Sequence, residues 1–570
     1  MEAGEILLKK GLLDERQLRR ARSAQTDGTR LTQVAVDLGF VTEEAALKAL
    51  ADELGLEFVD LAEVECDLAL LKSFPLRFVH RETIFPIRKR NGALIVATSD
   101  PFNLYPLDEL SASTGLTVVP VLGARSEILR LIKAHLGVGS ETVEGLLAQA
   151  VDDRVQLVGE VESDGSELSE MAHEPSVVRL VNEILLEAIQ SRASDVHIES
   201  EASGLQIRYR IDGVLHPQPV PPQISRFRAA IISRLKIMAR LNIAERRLPQ
   251  DGRIELRVSG REVDVRVSVI PMIHGEGIVL RLLDKGGMEF ALRKLGMEEH
   301  HYRTFSELIR LPHGIILVTG PTGSGKSTTL YSALLEIRSG ETKIITTEDP
   351  VEYQLEGINQ IQVHPKIGLS FANSLRSILR HDPDIVLVGE IRDLETAENA
   401  VQASLTGHLV FSTLHTNDAA GAYTRLTDMG VEPFLVSSTV EAVMAQRLVR
   451  TLCPQCKEPY EPAAEELPDD FPLDELGEGG VIQRPVGCRA CRQVGYLGRV
   501  GLFELLVTTE KIRQLAHDRA STWAISEAAL AEGMTTLRTD GWRKVLDGRT
   551  GVDEVVRVTR GNVVRMSDRR

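Results

Sequence analysis

Cysteine is scarce in this sequence, with five cysteines among 570 residues. This number is too small for a disulfide framework, and we expect the thiols to be reduced. No apolar run reaches the length that is needed to span a bilayer, and the N-terminus lacks the apolar segment of a signal peptide. We therefore expect a cytosolic chain, which would need a protein partner for any association with a membrane.

Basic residues are outnumbered by acidic residues, 66 to 82, which gives a formal net charge of −16. Nucleic-acid binding generally requires a basic surface, because the phosphate groups are negatively charged. The charge balance therefore argues against nucleic acid as the main partner, although a local basic patch is compatible with it. The length of the chain exceeds what one hydrophobic core supports, and about three or four domains are expected.

A glycine-rich segment, Gly320–Thr328, has the pattern of a phosphate-binding loop. Its glycines tolerate positive φ and allow backbone N–H groups to approach a phosphate closely. We predict that Lys326 reaches the β- and γ-phosphates of a nucleotide and that the Ser327 hydroxyl binds Mg²⁺. A predicted strand, Gly314–Thr319, precedes the loop, and a predicted helix, Ser327–Arg338, follows it with its N-terminus towards the phosphates. The predicted ATP- and Mg²⁺-binding residues are Gly320, Pro321, Thr322, Gly323, Ser324, Gly325, Lys326, Ser327 and Thr328.

Three further predicted strands have acids or histidines at their ends. They are Lys343–Thr347 with Glu348, Ile385–Val388 with Glu390, and Leu409–Ser412 with His408 and His415. Ligands of an open α/β sheet bind at the carboxyl ends of its strands, which would bring these side chains to the phosphate loop. We predict that Glu390 binds Mg²⁺ directly or through water, that Glu348 orients and deprotonates the attacking water, and that His415 contacts the γ-phosphate. His408 is equally compatible with a structural role.

Four of the cysteines form two Cys-x-x-Cys pairs, at 453–456 and 488–491. Four thiolates with this spacing suit a tetrahedral Zn²⁺ that is closed to solvent. We therefore predict a structural zinc site formed by Cys453, Cys456, Cys488 and Cys491, with a redox pair or four unliganded thiols as alternatives. The remaining cysteine, Cys66, is expected to be an inert core thiol.

The N-terminal part of the chain contains a repeat with a period of 28 residues, in which Gly4–Asp14 aligns with Thr32–Thr42. Each copy predicts a short apolar helix that ends near a glycine, Gly11 or Gly39, because glycine favours the left-handed conformation at a helix end. The polar residue at the end of each copy is suited to cap the next helix. The repeat therefore predicts two helical hairpins.

A small α/β unit without a catalytic constellation is predicted between residues 64 and 136. Strands are predicted at Ile84–Arg88 and Ala93–Ala97, and a closing helix at Ser126–Leu136. The acidic segment Gly139–Glu174 follows, and its composition predicts a flexible linker that contains one short helix at Thr142–Val151.

A helix-flanked sheet of about 110 residues is predicted from Pro175 onwards. The predicted helices are Ser176–Arg192 and Ile224–Leu241, the predicted strands are Asp195–Glu199, Leu205–Ile211, Glu262–Val269 and Ile278–Leu283, and Leu248–Arg253 is predicted to be a loop. Arginines lie on or beside these elements, at Arg208, Arg210, Arg253, Arg266 and Arg281. Most of them are expected to face solvent, and a minority could reach a nucleotide held by the next domain.

Four segments of the chain closely resemble the signatures of the secretion ATPases, which serve type II secretion and type IV pilus assembly. In chain order, Gly320–Thr328, Thr347–Tyr353, Val388–Asp393 and Leu405–His415 are similar to the Walker A, Asp, Walker B and His boxes of that family. Gly389 stands where many other ATPases have aspartate, but a glycine is normal there in this family. The resemblance extends from about residue 175 to the C-terminus. It implies a multidomain α/β protein that forms a hexameric ring and converts ATP hydrolysis into mechanical work.

The resemblance also implies a domain organisation and a set of arginine contacts. The expected domains are an N-terminal docking domain (1–136), the linker (137–174), a PAS-like α+β domain (175–288) and a RecA-like P-loop motor domain (289–570) with the zinc knuckle at 453–491 and a helical C-terminus. Arg266 and Arg281 match positions that contact nucleotide phosphates. Arg376, Arg380 and Arg392 match arginines near the site or a subunit interface, and salt bridging is the alternative for all five.

The N-terminal repeat resembles the N-terminal domain of the same family. Some members of that domain family bind cyclic di-GMP through an Arg-Leu-Gly at the start of each repeat. In this chain the corresponding segments are Glu2–Gly4 and Arg30–Thr32, and neither is intact. The first copy lacks the guanidinium that could stack on a base or pair with a phosphate, so we expect no binding of cyclic di-GMP.

The resemblance leads to one main functional hypothesis, a cytosolic ATPase that drives pseudopilus assembly and protein export in a type II secretion system. It would be a homohexamer, peripheral at the inner membrane, with its N-terminal domain bound to a platform protein of that membrane. The alternative is the motor of type IV pilus assembly. A nucleic-acid-translocating ATPase and an adaptor that binds nucleotide without hydrolysing it are the remaining hypotheses.

Overall fold

The computed structural model divides the chain into two compact units, Met1–Gly286 and Gly287–Arg570. It describes residues 3–559 except 26–29, 62–63, 65, 68–69, 72–73, 75–78, 80–81, 91, 104, 137–154, 158–171, 173, 259, 285–288 and 477–479. Both units combine helices with sheets, which confirms the predicted multidomain α/β class. Among the described residues, no helix has the length and apolar character to cross a bilayer. The division at residues 136 and 174 stays a prediction.

Four short helices open the first unit, as the repeat predicts. Gly11 and Gly39 both have a φ of 71°, in the left-handed region where each apolar helix ends. The side chain of Asp14 accepts a backbone N–H at 2.7 Å, and that of Thr42 accepts one at 3.3 Å, so both residues are N-caps. The helices are α1 (Ala3–Lys9), α2 (Glu15–Ala24), α3 (Leu31–Asp37) and α4 (Glu43–Leu54).

A four-stranded sheet follows, with the strand order β1-β4-β3-β2. It contains the two predicted strands and the predicted closing helix. Its elements are β1 (Glu57–Phe58), β2 (Ile84–Arg90), β3 (Ala93–Thr98), α5 (Tyr105–Thr114), β4 (Thr117–Leu122) and α6 (Arg125–Leu136). Cys66 is half-buried against the core of this sheet, and burial raises the pKa of its thiol, as expected for an unreactive side chain.

A seven-stranded sheet with the order β5-β9-β10-β11-β6-β7-β8 completes the first unit. Its elements are β5 (Val155–Leu157), α7 (Pro175–Gln190), β6 (Ala193–Glu201), β7 (Gly204–Ile211), β8 (Val214–Gln218), α8 (Arg228–Met238), β9 (Gln250–Val258), β10 (Arg261–Met272) and β11 (Gly275–Asp284). The predicted helix Ile224–Leu241 is shorter than expected, because a 3₁₀ turn at Pro222–Phe227 replaces its beginning. Both helices pack into the apolar core of this sheet.

One prediction for this sheet is wrong, and one strand lies in a segment where no strand was predicted. The predicted loop Leu248–Arg253 contains the start of β9, whose nine residues pair with β10, because ladder hydrogen bonds outweigh the turn tendency of its Asp-Gly pair. The predicted linker Gly139–Glu174 contains β5, which pairs with residues 256–258 on the open edge of β9. An exposed edge offers unpaired backbone groups to any neighbouring extended segment. The predicted helix Thr142–Val151 lies outside the described residues.

The second unit is built on a seven-stranded sheet with the order β14-β13-β15-β16-β12-β17-β20, in which only the β17–β20 pair is antiparallel. Its strands are β12 (Gly314–Thr319), β13 (Ile344–Glu348), β14 (Asn359–Gln362), β15 (Ile385–Val388), β16 (Leu409–Leu414), β17 (Val440–Leu452) and β20 (Tyr496–Val507), with the separate pair β18 (Glu458–Tyr460) and β19 (Ile482–Arg484). Strands β12, β13, β15 and β16 are buried along their whole length, because helices cover both faces.

The helices of the second unit include the predicted helix after the phosphate loop, which is α10. They are α9 (Glu299–Leu308), α10 (Lys326–Ile337), α11 (Phe371–Ile378), α12 (Leu394–Leu405), α13 (Gly421–Asp428), α14 (Pro433–Thr439), α15 (Glu510–His517), α16 (Thr522–Ala531), α17 (Leu537–Leu546) and α18 (Val552–Val558). Strand β17 was not predicted. Strand β20 (Tyr496–Val507), which pairs along β17, was not predicted either.

Candidate active site

The glycine-rich loop lies between β12 and α10, and three of its glycines have a positive φ. The φ values are 148° at Gly320, 78° at Gly323 and 91° at Gly325. A side chain at residue 320 would also clash with β17, because a Cβ at Gly320 would lie 2.6 Å from the backbone oxygen of Gln446. Helix α10 has no side-chain cap at its N-terminus, so its first N–H groups can meet an anion. The loop therefore has the backbone geometry that phosphate binding requires.

The ammonium group of Lys326 lies over this loop. Its Nζ donates to the backbone oxygens of Gly320 at 2.7 Å and Pro321 at 3.1 Å. Burial lowers the pKa of Lys326 to about 8, while the negative charge of Glu390 acts in the opposite direction. The lysine therefore carries a partly desolvated charge, which attracts an anion more strongly than an exposed charge would.

Glu390 follows β15, and its carboxylate contacts two basic side chains. Its Oε1 lies 2.6 Å from Nη2 of Arg392, and its Oε2 lies 3.3 Å from Nε2 of His415, which follows β16. The side chain of Glu390 is 13% exposed, so one end of the carboxylate is within reach of a ligand. The structure thus brings Lys326, Glu390, Arg392 and His415 together.

Glu348, at the end of β13, is 5% exposed and is held by three donors. The Tyr331 hydroxyl donates to its Oε2. Thr346 Oγ1 donates to its Oε1 at 2.5 Å, and Gln360 Nε2 donates to the same oxygen at 3.1 Å. Because Tyr331 belongs to α10, the Glu348 carboxylate is tied to the helix that starts at the phosphate loop.

Gly389 has a steric reason to be glycine. Its backbone N–H donates to the Thr347 oxygen at 2.7 Å. A Cβ at this position would lie 3.1 Å from that oxygen and 3.3 Å from the Cα of Glu348. The ends of β13 and β15 are therefore too close for an aspartate at residue 389 without a shift of Glu348.

Three residues of this region were missed by sequence reasoning: Tyr331, Gln446 and Arg447. Gln446 Oε1 accepts the Thr329 hydroxyl at 2.7 Å, and its Nε2 would lie 2.7 Å from a Cβ at Gly325. Arg447 donates to the Asn417 oxygen at 2.9 Å, and burial lowers its pKa. Gln446 and Arg447 lie on β17. They could have been found from the sequence only if this strand had been predicted.

The predicted arginines fall into separate groups. In the first unit, Arg253, Arg266, Arg281, Asp195 and Arg210 stand opposite one another in a row across five strands. Like charges placed opposite each other destabilise a sheet. Asp195 offsets part of this repulsion, since its Oδ1 lies 3.1 Å from Nε of Arg281. Arg253 pairs with Asp264 as well.

The other predicted side chains have local partners. Arg376 of α11 lies 2.7 Å from Glu395, and Arg380, just beyond the end of that helix, donates to the Arg376 backbone oxygen at 2.9 Å. Arg392 is the motor-domain arginine that contacts Glu390. Nδ1 of His408 lies 2.8 Å from the backbone oxygen of Ala403, which agrees with a structural role.

The four cysteines of the two pairs converge at one place in the second unit. Their sulfur atoms all lie within 4.8 Å of one another, at 3.8 Å between Cys453 and Cys488 and at 3.7 Å between Cys456 and Cys491. A tetrahedral zinc with Zn–S bonds of about 2.3 Å has S···S edges of about 3.8 Å. The N–H groups of Gly487 and Gly495 point at the sulfur atoms, at 3.3 and 3.2 Å. The donor set fits a tetrahedral metal ion.

A phosphate loop between a central strand and a helix, with acids at the carboxyl ends of other strands of the same sheet, defines a P-loop nucleotide hydrolase. The family model described as "Type II/IV secretion system protein" matches residues 170–557, and the model described as "MshEN domain" matches residues 54–142. The chain belongs to this family of secretion ATPases.

Two relatives align along almost the whole chain. "Type II secretion system protein E" from Xanthomonas campestris pv. campestris is 46% identical over 562 residues, covering 97% of this chain and 98% of the relative. "Type IV pilus assembly ATPase PilB" from Myxococcus xanthus is 42% identical over 557 residues, with the same coverage of both chains. A solved structure described as the pilus retraction motor PilT with bound ADP is 27% identical with a TM-score of 0.44, covering 66% of this chain and 96% of that one.

Proposed function

We propose that this chain hydrolyses ATP to drive pseudopilus assembly and protein export in a type II secretion system. The observation that carries the proposal is the contact of Glu390 with Arg392 and His415 beside Lys326, at the edge of the sheet where the phosphate loop lies. The type II secretion system is favoured because the relative from Xanthomonas campestris has the higher identity, 46% against 42% for the pilus-assembly relative at the same coverage.

The proposed mechanism assigns each group one task. The loop N–H groups and Lys326 hold the β- and γ-phosphates, and the Ser327 hydroxyl together with Glu390 binds Mg²⁺. When bound, Mg²⁺ supplies positive charge that balances the phosphate oxygens. Glu348 orients the attacking water and accepts its proton, since the donors on this carboxylate keep it in one place. His415 contacts the γ-phosphate oxygens as a hydrogen-bond donor.

Arginines would add transition-state stabilisation. We propose that Arg266 and Arg281 of the first unit contact the nucleotide phosphates, because their row concentrates positive charge that an anion would relieve. Arg376, Arg380 and Arg392 are proposed to lie near the site or at a subunit interface of the hexamer. Arg376 on α11 and Arg380 just beyond it are both exposed, which is compatible with such an interface.

The proposed assembly is a homohexamer in the cytoplasm. Residues 1–136 would dock onto a platform protein of the inner membrane, and residues 137–174 would connect them to the PAS-like domain (175–288) and the motor domain (289–570). The match of residues 54–142 to the "MshEN domain" supports a separate N-terminal module. Neither nucleic acid nor cyclic di-GMP is part of the proposal.

The motor of type IV pilus assembly is the second candidate function. The PilB relative from Myxococcus xanthus supports it, since its identity of 42% is close to the 46% of the secretion relative. The proposed chemistry is the same for both systems, and only the polymerised subunit differs.

We also propose that the four-cysteine cluster holds a structural zinc ion. Its S···S separations of 3.8 and 3.7 Å agree with a tetrahedral site, and all four ligand positions come from the protein, which leaves no open position for catalysis. The ion would fix the segment between the two cysteine pairs.

Turnover tests the proposed site directly. In the assembled full-length chain, Lys326→Ala and Glu390→Gln should each lower kcat for ATP hydrolysis about 100-fold or more, because each removes a charge that acts on the phosphates or on Mg²⁺. Steady-state phosphate release measures this. Lys511→Ala, which removes an exposed lysine of α15, is the control and should retain the normal rate. Normal turnover of Lys326→Ala would contradict the proposed site.

ATP affinity should depend on pH through Lys326. Its pKa of about 8 means that the charged form, which binds phosphate, is lost as the pH rises above that value. We expect the Kd for ATP to increase about tenfold per pH unit above pH 8. Isothermal titration between pH 7 and 9.5 checks this. Lys326→Arg keeps its charge over the range, and an equal pH dependence in that variant would exclude Lys326 as the cause.

A genetic experiment distinguishes a type II secretion motor from a type IV pilus motor. In the source bacterium, Glu390→Gln at the native locus should abolish protein export and leave surface pili intact, since only pseudopilus assembly would lose its motor. Culture-supernatant proteins and surface pili are both quantified. Loss of pili with normal export would identify the pilus motor instead.

Metal analysis tests the cysteine cluster. The purified chain should contain about one zinc ion, and Cys456→Ser should lose most of it, because three thiolates bind zinc far more weakly than four. Plasma mass spectrometry measures the zinc content. Cys66→Ser removes the cysteine outside the cluster and should keep the full content. A metal-free wild-type protein that retains its normal thermal stability would contradict the proposal.

A further inference from the structure

The hydrogen bonds of Glu348 leave one direction open on its carboxylate. An ionised carboxylate has about four lone-pair sites, two on each oxygen. Thr346 and Gln360 both donate to Oε1, whereas Tyr331 donates to Oε2. Among the residues that the structure describes, Tyr331 is the one donor to Oε2, so this oxygen keeps one remaining lone pair, whose direction the Tyr331 hydroxyl sets.

Tyr331 is itself firmly placed. It is 1% exposed, and its ring packs edge-on against Phe290 at a centroid distance of 5.5 Å. Its hydroxyl oxygen also accepts the backbone N–H of Glu352 at 3.3 Å. Burial, and then the neighbouring Glu348 carboxylate, raise the pKa of Tyr331 well above its ordinary value, so the hydroxyl keeps its proton and acts as a donor.

The position of Tyr331 in the sequence links two parts of the site. Helix α10 begins at Lys326, directly after the loop, and Tyr331 lies five residues further along the same helix. A rigid helix thus carries both the phosphate-binding lysine and the group that aims the Glu348 carboxylate. A fixed relation between phosphate and water is what in-line attack requires.

We infer that Tyr331 is a positioning residue for ATP hydrolysis, whose hydroxyl turns the free lone pair of Glu348 Oε2 towards the attacking water. The inference rests on the proposed role of Glu348 and adds a residue to it. Tyr331 acts through Glu348 and makes no contact with the nucleotide itself in this proposal.

The test is Tyr331→Phe in the assembled full-length chain. This change keeps the ring and its packing and removes the one hydroxyl. We expect kcat to fall about 10- to 100-fold while KM for ATP changes less than twofold, since orientation of the water is lost but phosphate binding is not. A thermal unfolding midpoint within a few degrees of wild type shows that the fold is retained.

A matched control is Tyr302→Phe. Tyr302 lies in the same unit, is half-buried, and donates its hydroxyl to a glutamate, Glu336, at 3.3 Å. Loss of the Tyr302 hydroxyl should leave kcat and KM for ATP unchanged. An equal loss of kcat in both variants would show a general effect of removing a tyrosine hydroxyl and would overturn the inference.

A double-mutant cycle shows whether Tyr331 acts through Glu348. In Glu348→Asp the carboxylate is one methylene shorter and withdraws from the Tyr331 hydroxyl. Adding Tyr331→Phe to this variant should therefore lower kcat less than twofold further. A full, multiplicative loss in the double variant would mean that Tyr331 acts by another route.

Failure of this inference differs from failure of the proposed function. If Glu348→Asp lowers kcat strongly but Tyr331→Phe leaves it normal or raises it, the role of Tyr331 is wrong and the role of Glu348 stands. If Glu348→Asp turns over normally, the proposed role of Glu348 is wrong and the inference falls with it.

Discussion

Backbone crowding at the carboxyl edge of the second unit's sheet is the constraint on which the candidate active site depends. A Cβ at Gly320 would lie 2.6 Å from the Gln446 oxygen, and one at Gly389 would lie 3.1 Å from the Thr347 oxygen. At both places the chain has glycine, so the segments can approach without a shift of their neighbours. This close packing lets the phosphate loop present its N–H groups and brings the acids that end β13 and β15 to the same edge.

The parts of this site that the sequence predicted are those whose chemistry depends on short local patterns. The glycines of the loop, with Lys326 and Ser327, identify phosphate binding because the backbone itself makes the contacts. Glu390 follows a continuous apolar run and Glu348 follows a run of β-branched residues, and both patterns indicate a buried strand. The structure confirms the strands, and the catalytic roles of the two acids remain proposals.

The rest could not be predicted because it depends on register and on residues distant in sequence. The row that contains Arg253, Arg266 and Arg281 exists only because β9, β10 and β11 pair in one particular register. In the sequence Tyr331 has the character of an ordinary core residue of α10. No neighbouring residue in the sequence indicates that its hydroxyl donates to Glu348. The Asp-Gly pair at the start of β9 favoured a loop by its local tendency, and cross-strand pairing overrode that tendency.

Strand β17 connects the two sites of the second unit. Gln446 and Arg447 line the phosphate loop, and the strand continues to Leu452, directly before Cys453 of the cysteine cluster. The far end of the strand is fixed by the side chain of Arg450, whose guanidinium lies 2.8 Å from the buried Glu554 of α18. Between these two ends β17 is paired with β12 on one side and with β20 on the other, so one continuous strand of the sheet carries both the residues beside the phosphate loop and the chain that enters the cysteine cluster.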